Sequence, residues 1–132
     1  LSIYNLYIDN LYIGVMFLKF DKSVIGGNMT LLILGLIENR DMYGYEMIEE
    51  LRSRSDDTFD LKAGTLYPIL HGLEEKEFIF SYEKQSENGR KRKYYSITKN
   101  GKKLLKDKKE EWKVYSNAVN KVIGGVNFGG AY

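Results

Sequence analysis

The sequence predicts a mainly α fold that carries a two-stranded β wing, and three observations predict it. The stretch Lys62–Glu75 holds Leu66, Ile69, Leu70 and Leu73 at i, i+3, i+4 and i+7, the spacing of a helix with one buried face. Directly after it come two short β-like runs around Glu87-Asn88-Gly89, the second loaded with Arg90, Lys91, Arg92 and Lys93. A shorter helical pattern precedes it, with Gly44, Met47, Ile48 and Leu51 at the same spacing. Two helices joined by a turn, with a basic hairpin behind the second, form the sequence pattern of a winged helix-turn-helix followed by a long C-terminal dimerisation helix.

The helix after Lys62 is distinguished by its other face. Gly64, Pro68, His71 and Gly72 lie there, with Thr65 and Tyr67 on the flanks, a small and uncharged surface for an exposed helix. Such a face suits close approach to a bulky partner, and the DNA major groove just admits a helix. Pro68 removes a backbone hydrogen bond and crowds the preceding turn, so the helix either begins near Gly64–Thr65 or has a distorted first turn.

Upstream, a helix is expected from about Met29 to Glu38. Leu31, Leu32, Ile33, Leu34, Leu36 and Ile37 make it apolar on nearly every side, hence buried, with Asn28 or Thr30 as its cap. Gly26-Gly27 and Gly124-Gly125 read as helix-end punctuation. The next helix is expected from about Tyr43 to Ser55. Gly44 costs it about 1 kcal/mol of propensity against Ala, which close approach of another helix would offset.

The hairpin is expected over Phe78–Gln85 and Arg92–Ile97, with Asn88-Gly89 supplying the positive φ of a tight turn. Lys91, Lys93, Tyr95 and Ile97 share one face of the second strand, and Arg92, Tyr94 and Ser96 share the other. The four cations read either as a solvated edge that resists aggregation or as phosphate contacts. Their place beside a helix-turn-helix favours phosphate. The last helix starts at the N-cap Thr98 and runs to about Ile123. Leu105, Lys108, Trp112, Tyr115, Val119 and Val122 are spaced 3, 4, 3, 4, 3, a heptad seam whose economical cover is a symmetric partner. Folding back on its own domain is the alternative.

Composition narrows the classes. The 132 residues suit one domain with an appended element, and the net charge is only +2. Charge is unevenly placed: Arg90 to Lys93 is uniformly positive, whereas Glu38 to Glu50 is mostly acidic. Local patches attract phosphates more than totals do. Without cysteine there is neither a disulfide framework nor a thiolate metal site, which fits a reducing cytosol. With one histidine a histidine metal cluster is excluded, and no cysteine nucleophile or phosphate-cradling glycine loop points to an enzyme or a cofactor.

Residues 1–20 are expected to be an N-terminal extension, with Asn-Leu-Tyr-Ile repeated at 5–8 and 10–13. They lack the basic start of a signal peptide, and Asn5, Asp9 and Asn10 break the run short of the roughly 18 apolar residues a membrane helix needs. A natural start at Met16 after a leader of residues 1–15, or an extra helix packed on a partner, accounts for them. The expected organisation is then a DNA-binding unit at 21–98, a dimerisation helix at 99–124 and a tail at 125–132.

The chain resembles the PadR family of transcriptional regulators. The resemblance rests on Asp41-Met42-Tyr43-Gly44-Tyr45, on Lys62-Ala63-Gly64-Thr65-Leu66-Tyr67-Pro68-Ile69-Leu70-His71, on Leu73-Glu74, and on Gly89-Arg90 leading to Arg92-Lys93-Tyr94-Tyr95-Ser96-Ile97-Thr98 and Gly101. It covers about Lys22 to Gly125 and, with a single helix as tail, the small subfamily. It implies a winged-helix homodimer that binds a palindromic operator on double-stranded DNA, usually as a repressor, and that in some members responds to phenolic or drug-like ligands. Gly72 departs from the pattern, because many members carry a basic residue there.

The candidate DNA-contacting set is therefore Tyr43, Lys62, Gly64, Thr65, Tyr67, Pro68, His71, Arg90, Lys91, Arg92 and Lys93. Tyr67 sits between groove contact and packing, and one of Tyr43 and Tyr45 packs while the other approaches the DNA backbone. The candidate dimer seam is Leu105, Trp112, Tyr115, Val119 and Val122. Trp112 reads as dimer core or, by resemblance to small relatives, as the platform for a flat aromatic effector. A winged-helix module that grips another protein is the rival to DNA binding.

Overall fold

The computed structural model describes residues 22–124, with side chains from Asn28 onward. The expected leader and the tail at 125–132 lie outside the described residues. Helix α1 (Lys22–Leu36) leads through a turn into a two-residue strand β1 (Met42–Tyr43), then α2 (Gly44–Arg54) and α3 (Ala63–Glu75). The hairpin β2 (Ile79–Gln85) and β3 (Lys91–Ile97) follows, and α4 (Lys99–Val122) closes the described chain.

Helix α1 starts earlier than expected and runs through Gly26-Gly27, which therefore do not punctuate a helix end, and Asn28 and Thr30 do not cap one. Glycine lowers helix propensity by about 1 kcal/mol without forbidding the conformation. Downstream, Met29, Ile33, Leu34, Leu36 and the following Ile37 are all buried. In α2 the buried residues are Gly44, Met47, Ile48 and Leu51, the expected stripe. In α3 they are Leu66, Leu70 and Leu73, with Ile69 half-buried. These helices enclose one core with Leu61, Ile79, Tyr95, Ile97 and Leu105.

Helix α3 begins at Ala63, so Pro68 lies inside it. The Thr65 and Leu66 amides both donate to the Lys62 carbonyl, at 3.0 and 2.9 Å, which tightens the first turn. Pro68 has no amide to offer the Gly64 carbonyl, and that carbonyl stays on the exposed face. The helix ends in a Schellman turn with Glu77 at φ +64°, where Phe78 N donates to Leu73 O at 3.0 Å. Thr98 ties onto this turn by donating its hydroxyl to Glu77 O at 2.7 Å, and its Oγ1 caps α4 by accepting from Gly101 N at 3.0 Å.

The sheet has three strands in the order β1-β3-β2, all antiparallel. The wing is the expected two-stranded hairpin, and β1 is an addition, paired as Met42 with Tyr95 and Tyr43 with Tyr94. A two-residue strand is too short to show alternation in the sequence.

Helix α4 divides in two. Its first turns lie on α1, where Leu105 is 2 % exposed and Lys109 pairs with Glu38 at 3.0 Å. Beyond them Trp112, Tyr115 and Val122 are 46, 62 and 85 % exposed. Leu105, expected on the seam, is thus core of its own protomer, and the uncovered strip begins at Trp112. Among the described residues no helix is long and apolar enough to cross a membrane.

Because Leu105 is enclosed by its own chain, Leu105→Ala should lower stability by about 2–5 kcal/mol, read as a reduced midpoint in chemical denaturation. A loss under about 1 kcal/mol would place Leu105 back on an interface.

Candidate nucleic-acid interface

The exposed face of α3 consists of Gly64, Thr65, Tyr67, Pro68 and His71, with Lys62 exposed at its N-cap. Lys62 pairs loosely with Asp60 at 3.3 Å. His71 stands in solvent beside Glu75, 3.4 Å away, a carboxylate partner one turn on that the sequence reading did not assign. Both side chains are largely exposed, so the pair forms no buried acid–base site.

Tyr67 does two things at once. Its ring and hydroxyl lie against Gly44, so closely that a Cβ there would overlap them, yet the side chain remains 46 % exposed. The close approach inferred at Gly44 is thus made by an aromatic ring of α3 and not by a helix backbone. A Gly at the start of α2 lets the ring bridge the two helices at the surface.

The wing turn is built by its own residues. Gly89 takes φ +85°, its amide donates to Ser86 O at 2.9 Å, and Ser86 N donates to Arg90 O at 2.7 Å. That is a three-residue hairpin loop closed by one left-handed glycine. Asn88 Oδ1 accepts from Arg90 N at 3.1 Å and from Ser86 Oγ at 2.6 Å. Arg90, Lys91 and Lys93 project from this tip and are exposed.

Arg92 is different. It is half-buried, with its guanidinium carbon 4.7 Å from the Tyr43 ring centre. It belongs to the outer face of the sheet, opposite the core. There Tyr43 meets Tyr94 edge-on at 5.4 Å, Tyr94 stacks on Tyr82 at 5.9 Å, and Lys84 covers Tyr94 at 4.7 Å. Tyr82 donates its hydroxyl to Asp41 at 2.5 Å, and this bond to a carboxylate is the main reason its phenol is pushed up to about 12. Burial, followed by the nearby Glu46 carboxylate, raises the Tyr94 phenol as well. Glu46 also accepts from Tyr43 N at 3.2 Å and so ties the first turn of α2 back to its N-cap.

The sequence reading missed Lys84, Tyr82 and Asp41 on this face. Lys84 pairs with Arg92 across the hairpin, a register that counting outward from the Gly89 turn would have shown. The Asp41–Tyr82 bond joins residues 41 positions apart and leaves no local signal. Tyr43 is half-buried under Arg92, while Tyr45 projects from the first turn of α2 and is exposed.

A small uncharged helix face beside a cationic hairpin, held on one sheet and one core, defines a winged helix-turn-helix DNA-binding protein. The model of the transcriptional regulator PadR-like family matches residues 33–107, more than half of the chain, and the chain belongs to that family. Its members are DNA-binding transcriptional regulators and not enzymes. An uncharacterized protein of Lysinibacillus sphaericus is 37 % identical over 105 residues, 80 % of this chain and 96 % of that protein. A PadR-like transcriptional regulator of Bacillus cereus is similar in structure, with TM-score 0.71, 32 % identity, and coverage of 80 % of this chain and 100 % of that one. A PadR family transcription regulator of Clostridium difficile shares 39 % identity at TM-score 0.65, over 74 % of this chain and 100 % of its own.

Gly44→Ala, at the first position of α2, should gain less than the roughly 1 kcal/mol of an interior change while evicting the Tyr67 ring. Tyr67 is free to swing into solvent, so the melting temperature should hold near the parent's while affinity for specific DNA falls. Unchanged affinity in a gel-shift titration would show that the Tyr67 pose is immaterial to binding.

Proposed function

We propose that this chain is a homodimeric repressor of the cytoplasm that binds an inverted-repeat operator on double-stranded DNA. The observation that carries the reading is the exposed, uncharged face of α3 set beside the cations of the wing. Residues 21–98 bind DNA, and the exposed part of α4 from Trp112 onward joins the protomers. Gly64, Thr65, Pro68 and His71 line the groove-facing side, Tyr67 fixes its register, and the exposed Tyr45 and Lys62 flank the backbone, while Tyr43 packs under Arg92. Arg90, Lys91 and Lys93 meet phosphates from the wing, supplying affinity without sequence information.

The exposed strip of Trp112, Tyr115 and Val122, with half-buried Val119 between them, supports a second copy as partner. Large apolar side chains on a soluble helix are normally covered. Trp112 and Tyr115 form an aromatic pair with centres 6.0 Å apart, which supports a flat aromatic effector held there that relieves repression. A two-fold dimer then presents its two α3 helices about one helical turn of DNA apart, roughly 34–36 Å.

Tyr67→Ala should lower affinity for the operator more than for a scrambled duplex, since a groove-fixing residue serves register whereas wing cations serve both alike. Competition binding on the two duplexes decides it, and equal losses would place specificity elsewhere on α3.

The assembly has its own test. The parent chain should scatter light as a dimer at micromolar concentration, and Trp112→Ala, which truncates a large group for about 3–5 kcal/mol when buried, should dissociate it. A monomeric parent would end the dimer reading.

A further inference from the structure

Four consecutive cations leave the wing turn, yet they are not equivalent. Arg90, Lys91 and Lys93 are exposed, whereas Arg92 lies on the Tyr43 ring and its Nε is buried without a hydrogen-bond partner. A phosphate ligand keeps its donors at the surface. A buried donor left unpaired costs free energy, so the pose must be favoured by the ring beneath. A guanidinium, planar and weakly hydrated, is the cation best suited to that.

The ring it covers is a junction. Tyr43 ends β1, serves as N-cap of α2, and pairs with Tyr94 of β3. Three side-chain ties therefore cross between the wing and the start of the helix-turn-helix on this face: Arg92 onto Tyr43, the Tyr94 ring edge-on to Tyr43, and the Tyr82 hydroxyl onto Asp41. Only two residues of β1 ladder accompany them. A hairpin on its own is marginal; the core holds this one at its base through Ile79, Tyr95 and Ile97, and the pitch of its distal part depends on such ties.

We propose that Arg92 is a positioning residue that sets the angle of the wing against α2 and α3, and not a phosphate ligand. This rests on the reading of the wing as a phosphate-contacting element. Without the tie the wing spends less time in the binding pose, and the apparent Kd rises by that fraction while the number of phosphates neutralised stays the same.

The experiment is duplex binding over a salt series with the full chain and three variants. Arg92→Ala should bind on the order of three- to tenfold more weakly, the scale of a cation over a ring, with the parent's salt slope. Arg92→Lys keeps the charge but not the plane and should stay weakened. Arg90→Ala should flatten the slope by about 0.9 unit. Adding Arg92→Ala to Tyr43→Leu should weaken binding little beyond Tyr43→Leu alone, since the Arg92–Tyr43 contact is already broken there.

Arg92→Ala at parent affinity, or flattened like Arg90→Ala and restored by Arg92→Lys, would overturn the proposal while leaving the wing on phosphate. An Arg90→Ala slope equal to the parent's would remove the phosphate reading of the wing and this inference with it.

Discussion

Two residues of antiparallel ladder, Met42 and Tyr43 against Tyr95 and Tyr94, hold the helix-turn-helix and the wing in one frame. The pairing places the start of α2 at the sheet and turns Met42 into the core, while Tyr43 faces outward. Because side chains alternate across a strand, one face of β3 gives Tyr95 and Ile97 to the core and the other gives Arg92 and Tyr94 to the outer surface. A slip of one residue would exchange these roles and leave both faces wrong. The ladder thus joins the start of α2 to the base of the wing.

The DNA-facing surface divides affinity from selectivity by chemistry. Helix α3 offers no cation from Ala63 to Glu75 other than His71 in its protonated form, so it can come close to bases without being captured by phosphates. The wing offers the exposed cations Arg90, Lys91 and Lys93, with Glu87 as the one acidic residue in its turn. Tyr67 is the link, packed on α2 at one edge and open at the other. Sharing of this kind limits the mobility of a side chain that must meet a partner in one pose.

Helix α4 serves two neighbours in sequence. Its N-terminal half is anchored by Thr98, Leu105 and the Lys109–Glu38 pair to its own protomer. The remainder carries an exposed aromatic and aliphatic strip, and the proposed second protomer occupies that side. A helix of 24 residues is about 36 Å long, more than this small core can cover.

The amino-acid sequence by itself determined the helices with clear periodicity, the hairpin with its Gly89 turn, and the small face of α3. These features depend on neighbours three or four residues apart, or on one residue's permitted φ. It also carried the family resemblance, through Tyr43-Gly44-Tyr45, Gly64-Thr65-Leu66-Tyr67-Pro68 and Arg92-Lys93-Tyr94-Tyr95. The tertiary structure alone decided which members of a pattern share a fate. Leu105 and Trp112 sit on one heptad seam, yet the first is buried in the core of its own chain and the second is exposed. Arg92 reads as one of four wing cations, yet strand alternation and the two residues of β1 put it on Tyr43. The physical reason is that local patterns state which face a residue occupies, whereas only the packed chain states what lies against that face.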